Sequence, residues 1–334
     1  MSKRVEKTPH APARAGLPLL RFRPGGVGLG GATRGADTIL FLGGDTGTVI
    51  IEPRLVKLTT RTEVDVRRTI PHAKLRRIGA WVFVDHFGPT EQVDGMTVAA
   101  HPHTGLQTVT WLLDGLIDHR DSLGTAQEVA PGSLNLMTAG SGVSHSERSL
   151  PGPEALHAVQ LWIALPDAVR SMRPTFEHIE TVPTATFSDH FAQVFIGQWG
   201  DATSPATVFS PLVGAEVLVG NSGSIPLNSS WEYGVLNING SMTANDDDVP
   251  LNALWYSPVG STELALSGSG TAIVIGGEPF LEQILMWWNF IARTHEEIEE
   301  MRMDWNLHTY PPIADRVGGW IPAPEMPNVT LTAR

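Results

Sequence analysis

His101-Pro102-His103 and, further along, His145-Ser146-Glu147 are the side chains of this chain best suited to chemistry. Side chains on a strand alternate faces with a period of two, so each H-x-H or H-x-E pair sets both members on one face. Two adjacent strands carrying such pairs aim three imidazole nitrogens and one carboxylate oxygen at one point. That is a coordination shell for a divalent metal, with room for further ligands. A nitrogen and oxygen donor set without thiolate suits Fe(II), Mn, Co, Ni or Cu, and open positions favour redox-active non-haem iron. Zinc closed tetrahedrally by the same four groups would be structural and silent.

Other polar residues carry weaker signals. His119, beside Arg120 and Asp121, is a candidate for orienting a ligand from behind, since ligating histidines need oriented partners. His86, after Asp85, is a candidate for the mouth of a barrel, and His157 reads as an ordinary strand residue. The triplet Asp246-Asp247-Asp248 reads as a solvated turn. The run Gly25 to Gly31 has no preceding strand, following helix or Lys-Ser/Thr, so it is not a phosphate loop.

The elements that must position these residues are short strands. From about Leu75 onward they recur at regular intervals: Trp81 to Val84, Thr108 to Leu113, Leu116 to Arg120, Leu134 to Met137 and Ala158 to Leu165. Asp114-Gly115 predicts a hairpin turn between the second and third of these. Asp167 and Pro174 predict the cap and stop of a short helix. A second series follows at Ala215 to Val219, Tyr233 to Ile238 with a turn at Asn239-Gly240, Leu254 to Tyr256, and Ala272 to Ile275. Its rhythm echoes the first, a weak internal repeat. Thr294 and Glu297 form a capping box that opens a helix reaching about Trp305, and a proline-rich tail then wraps the surface.

The resulting division has five parts. Residues 1–60 form a partly flexible N-terminal extension, 61–170 a first barrel with the metal site, and 171–205 a connector. Residues 206–280 form a second barrel, and 281–334 the helix and wrapping tail.

The 334 residues include 34 glycines and 25 prolines, spread along the chain as turns between strands require. There is no cysteine, which removes disulfides, thiolate ligands and a cysteine nucleophile. A net charge of −12 argues against a general nucleic-acid surface. Lys3, Arg4, Lys7, Arg14, Arg21 and Arg23 form a local basic arm, read here as an extension rather than a binding element. The run Leu17 to Leu20 is too short for a secretory signal, and nothing approaches the ~20 apolar residues of a membrane span. A cytoplasmic protein without membrane attachment is the expectation.

Three stretches resemble the pirin family of bicupins, nearest its bacterial branch: His101 to Gly115, His119 to Gly124, and Met137 to Glu147. The likeness extends over about residues 64 to 305. It implies an all-β fold of two jelly-roll cupin barrels packed face to face, followed by a short C-terminal helix. It implies iron in the N-terminal barrel, on His101, His103, His145 and Glu147. It implies a second barrel without metal, and here Pro226 and Asn228 stand near the H-x-H positions and no H-x-E follows. Gln107 stands where many members have glutamate, a position expected to lie just behind the metal.

Some pirins resemble quercetin 2,3-dioxygenase in activity. The resemblance therefore implies a small enolic or flavonol-like substrate and dioxygen, with Glu147 as ligand and general base and carbon monoxide released on ring cleavage. The competing reading is an iron-binding regulator, a transcriptional co-regulator or enzyme modulator acting through protein partners without turnover. Fold alone does not choose between them.

Overall fold

The computed structural model describes residues 47–57, 65–90, 96–152, 155–314, 316 and 318–334. The basic arm and the glycine run lie outside the described residues, as does most of the expected 1–60 extension.

The first barrel is a sandwich of two antiparallel sheets. The smaller has four strands in the order Thr97–His103, Val143–Ser149, Ile117–Asp121 and Ala126–Val129. The larger has seven, and its centre is Leu106–Asp114, Leu156–Ala164 and Trp81–Thr90. Val98, Ile117 and Val129 of the small sheet pack with Val66, Phe87 and Leu112 of the large one to form the barrel interior. The predicted hairpin at Asp114-Gly115 is not one. The chain crosses there from the large sheet to the small, and Ile117–Asp121 pairs with Val143–Ser149 and Ala126–Val129 instead. Gly115 makes the crossing at φ 83°, where an added Cβ would meet Leu156 Cα at 3.1 Å.

The large sheet is buried on both faces, which explains its nearly continuous apolar strands. Its outer face carries Trp81, Val109, Trp111, Val159 and Leu161, and these share one core with Phe195, Ile196, Leu236, Ile273 and Ile275 of the second barrel. The two barrels therefore meet sheet to sheet, as expected. The indole of Trp81 crosses the seam and donates to the carbonyls of Val213 and Gly276, each at 3.2 Å. Trp111 donates to Glu216 Oε2 at 2.7 Å.

The second barrel is built on a ten-stranded sheet. Apolar side chains including Val217, Val219, Met242, Leu264 and Trp255 fill its interior. Val49–Ile51, expected within the extension, pairs with Leu254–Ser257 and so belongs to this sheet. The expected connector is mostly strand: Thr175–Ile179 joins the first barrel through Leu134–Thr138, while Thr184–Phe187 and His190–Trp199 join the second.

Two further expectations are corrected. Asp167 to Pro174 forms turns rather than an α-helix. The single i to i−4 bond there runs from Arg170 N to Pro166 O, and Pro174 leads straight into the next strand. Asn239-Gly240 is not a turn, because Glu232–Ala244 runs through it with a register shift between Asn237 and Asn239. The reversal comes at Asn245 and Asp246, both at positive φ, the backbone that a two-residue hairpin demands.

The helix His295–Asn306 opens on Thr294, whose Oγ1 accepts from Glu297 N at 3.2 Å. The Glu297 carboxylate reaches one residue further back than in a standard capping box and accepts from Arg293 N at 2.8 Å. Among the described residues, no helix is long and apolar enough to cross a membrane.

Candidate metal centre

Register brings the histidines together. In the small sheet His145 pairs directly with His101, while Glu147 pairs with His119 on the other flank. A bulge between His145 and Glu147 shifts the first of these pairings. The ligand atoms of His101, His103 and His145 lie within 4.8 Å of one another, and all three residues are buried. His103 Nε2 and His145 Nε2 are 3.1 Å apart. Two nitrogens bound side by side to one cation at ~2.1 Å would stand about 3 Å apart, so the spacing fits a shared metal.

Protonation fits as well. Burial pushes His101 below the ordinary imidazole range, although its bond to the Ala99 carbonyl and the nearby Glu147 oppose the shift. Burial and neighbouring imidazoles push His103 and His145 well below it. Neutral imidazoles keep a lone pair free. His101 Nδ1 donates to the Ala99 carbonyl at 2.9 Å, which leaves Nε2 for the site.

Glu147 sits on the other side of the His145 ring. Its Oε1 lies 3.9 Å from His145 Nδ1 and 3.8 Å from His119 Nδ1, and a second group of His119, His145 and Glu147 also lies within 4.8 Å. His119 is thus placed against both residues of the H-x-E pair. Its Nε2 donates to Asp121 Oδ2 at 3.3 Å, and Asp121 Oδ1 is fixed by the amides of Leu123 and Thr125 at 2.9 Å. Burial works against protonating His119, but its bonds to Asp121 and Glu147 prevail and raise its pKa.

Two expected neighbours lie elsewhere, both for reasons of alternation. On Trp81–Thr90, Phe83, Asp85 and Phe87 face the site, so His86 faces away. It meets His157, Nε2 to Nε2, at 2.7 Å, and burial lowers its pKa to about 3. On Leu106–Asp114, Gln107 shares the outer face with Val109 and Trp111. Its amide donates to Thr138 Oγ1 at 2.9 Å and to the Thr207 carbonyl at 3.0 Å. It belongs to the seam between barrels, not to the metal's surroundings.

The inward face of that strand supplies a contact missed in the sequence. Thr110 Oγ1 lies 3.4 Å from Glu147 Oε1 and 3.2 Å from Gln160 Oε1. Asp121 was also missed, although His119-Arg120-Asp121 has the same period of two as the other pairs.

The cluster opens into a cavity of 660 Å³. Phe83 and Trp162 stack in its wall with centroids 3.9 Å apart, and Trp162 stands edge-on to His103 at 5.0 Å. Arg68 lies over the Phe83 ring at 4.3 Å and grips Asp85 bidentately, both bonds at 2.7 Å. The wall is therefore partly aromatic, and the buried Asp85 carboxylate in it is satisfied by Arg68.

This arrangement agrees with what the chain is similar to. Residues 63–163 match the pirin family model and residues 214–311 match the pirin C-terminal cupin domain. The chain belongs to the pirin family. Among pirin-related proteins, a candidate quercetin 2,3-dioxygenase of Pseudomonas aeruginosa is 38% identical over 72% of this chain and 79% of its own length. A pirin-like protein of Caulobacter vibrioides is 30% identical over 78% of this chain and 94% of its own. The crystal structure of a quercetin 2,3-dioxygenase from Acinetobacter baumannii superposes with a TM-score of 0.81 at 37% identity. That superposition covers 86% of this chain and 97% of the other. The pirin assignment accounts for two cupin sandwiches in one chain and for a histidine and glutamate cluster able to hold a metal in the first.

Proposed function

We propose that this pirin is a metal-dependent dioxygenase that cleaves flavonols or similar planar enols. The observation that carries the reading is the set of neutral imidazoles, with a carboxylate beside them, at one end of a 660 Å³ partly aromatic cavity. A cavity of this size falls in the range that encloses most of a small organic ligand. The names of the Pseudomonas and Acinetobacter proteins support the same substrate class.

His101, His103 and His145 would hold the cation and Glu147 would complete the set. Fe(II) suits these donors and the reaction best, with Mn, Co, Ni, Cu or Zn as alternatives. When bound, such a metal supplies Lewis acidity to an enolic oxygen and one-electron chemistry towards dioxygen.

The chain does the rest. Glu147 Oε1 accepts the enolic proton, and Thr110 Oγ1 and His119 Nδ1 stand beside that oxygen. Gln160 Nε2 lies buried at the cavity wall with no partner among the described residues, so it is available to donate to a substrate oxygen. Phe83, Trp162 and Phe87 exclude water from the reacting ring.

The test is anaerobic titration of the Fe(II)-loaded protein with quercetin, followed by absorption spectroscopy. A new band at stoichiometric flavonol is expected. An unchanged iron spectrum would remove the reading.

A further inference from the structure

The cavity is closed by two pieces of chain fastened to the H-x-H strand itself. The first is the hairpin of Leu285–Trp287 and Phe290–Ala292. Ile291 N donates to the Thr104 carbonyl at 3.0 Å, next to His103. The second is the strap at 319–324. Ile321 N donates to the Ala100 carbonyl at 2.9 Å, and Ala100 N donates to the Gly319 carbonyl at 3.2 Å, next to His101. The helix holds the strap from behind. Trp305 Nε1 donates to the Ile321 carbonyl at 2.8 Å, and Asn306 Oδ1 accepts from Ala323 N at 3.0 Å.

Both pieces turn apolar side chains into the cavity. Trp288 comes from the tip of the hairpin, and Ile321, Pro322 and Pro324 come from the strap. Trp288 has φ 51°, a left-handed backbone that large side chains rarely adopt and that glycine ordinarily fills in a two-residue hairpin. Backbone of this kind persists where its surroundings over-determine it, and ligand clamps are one such place. The strap lies past residue 311, where the match to the pirin C-terminal domain ends. One wall of the cavity is thus built outside the residues that match the two family models.

We propose that Trp288, together with the strap wall of Ile321, Pro322 and Pro324, is the specificity determinant of the cavity. It selects flat, multi-ring aromatic enols over small chelating enols. Both kinds can place an enolic oxygen at the histidine cluster. The larger covers more of the indole and the strap, where ring stacking and apolar burial add affinity. The inference rests on the dioxygenase reading for the identity of the site, but it concerns binding and not turnover.

The test compares the native full-length protein with Trp288→Gly and Ile321→Asp, each Fe(II)-loaded and anaerobic. Calorimetry measures the Kd of quercetin and of pentane-2,4-dione. Glycine accepts the φ at 288 without strain, but Trp288 also packs edge-on to Phe290, so urea unfolding of Trp288→Gly accompanies the binding data and Ile321→Asp tests the same wall independently. In both variants the Kd of quercetin should rise about tenfold while that of pentane-2,4-dione stays within about twofold. Equal quercetin binding by native protein and Trp288→Gly, equal weakening of both ligands, or no quercetin binding by native protein would each overturn the proposal. Admitting air separates it from the reading beneath it. Selective loss of quercetin binding without oxygen uptake by native protein leaves the clamp standing and removes the dioxygenase. Oxygen uptake with unchanged Kd values does the reverse.

Discussion

His103 and His145 face each other through their Nε2 atoms at 3.1 Å while burial keeps both rings short of protons. Each neutral ring carries one N–H, so either one Nε2 donates to the other or, with both N–H groups on Nδ1, two lone pairs face each other and favour a cation between them. A divalent cation satisfies both. His145→Ala or His103→Ala should therefore lower metal affinity by more than about 100-fold, beyond the effect of losing an outer partner. The purified variants should contain little metal by elemental analysis and keep the strand-rich circular dichroism of the native protein.

Asp121 acts one residue further out. It fixes His119, which stands against both His145 and Glu147. Asp121→Asn keeps the shape but weakens the bond to the imidazole. Metal affinity should fall by about 10- to 100-fold without loss of the fold. Competition with a chromophoric chelator measures this, and affinity equal to the native protein would remove Asp121 from the site.

Protons should compete with folding as well as with metal. His86, His101, His103 and His145 have folded pKa values below the imidazole range, with His86 at about 3. The unfolded chain therefore binds more protons than the folded one below about pH 6.5. Stability of the metal-free protein should fall as pH drops through 6.5 and keep falling towards the folded values. His119, raised by Asp121 and Glu147, works in the opposite direction but is one group against several. Urea midpoints between pH 8 and pH 5 check the sign; a midpoint that rises on acidification would contradict it.

The seam between the barrels depends on Trp81, which is fully buried and bonds to two carbonyls of the other barrel. Trp81→Ala should destabilise the fold by about 3–5 kcal/mol. Thermal or urea unfolding reads the change, and a loss under about 1 kcal/mol would show that the barrels do not rely on this contact.

The all-β class was legible in the sequence, and so was the grouping of His101, His103 and His145, because a period of two sets side-chain direction directly; Glu147 groups instead with His119 and His145. What was not legible depends on which face a strand buries. Gln107 and His86 lie next to the site in sequence, yet each sits on the outward face of a sheet covered on both sides. Apolar residues flank both faces of such strands, so hydrophobic pattern does not separate them. The crossing at Asp114-Gly115 and the unbroken strand through Asn239-Gly240 escaped the sequence for a related reason. A glycine at positive φ serves a hairpin, a bulge or a crossover equally well, and only strand pairing in three dimensions decides. Asp167 and Pro174 carried the signals of a helix, but the span between them holds a single i to i−4 bond before the next strand begins.

The most direct measurement is product formation by Fe(II)-loaded protein given quercetin and oxygen, with carbon monoxide and oxygen followed together. One carbon monoxide released per oxygen consumed, lost in His145→Ala, is the expected result. Protein that carries a full equivalent of iron and binds quercetin, yet consumes no oxygen and releases no carbon monoxide, would contradict the dioxygenase.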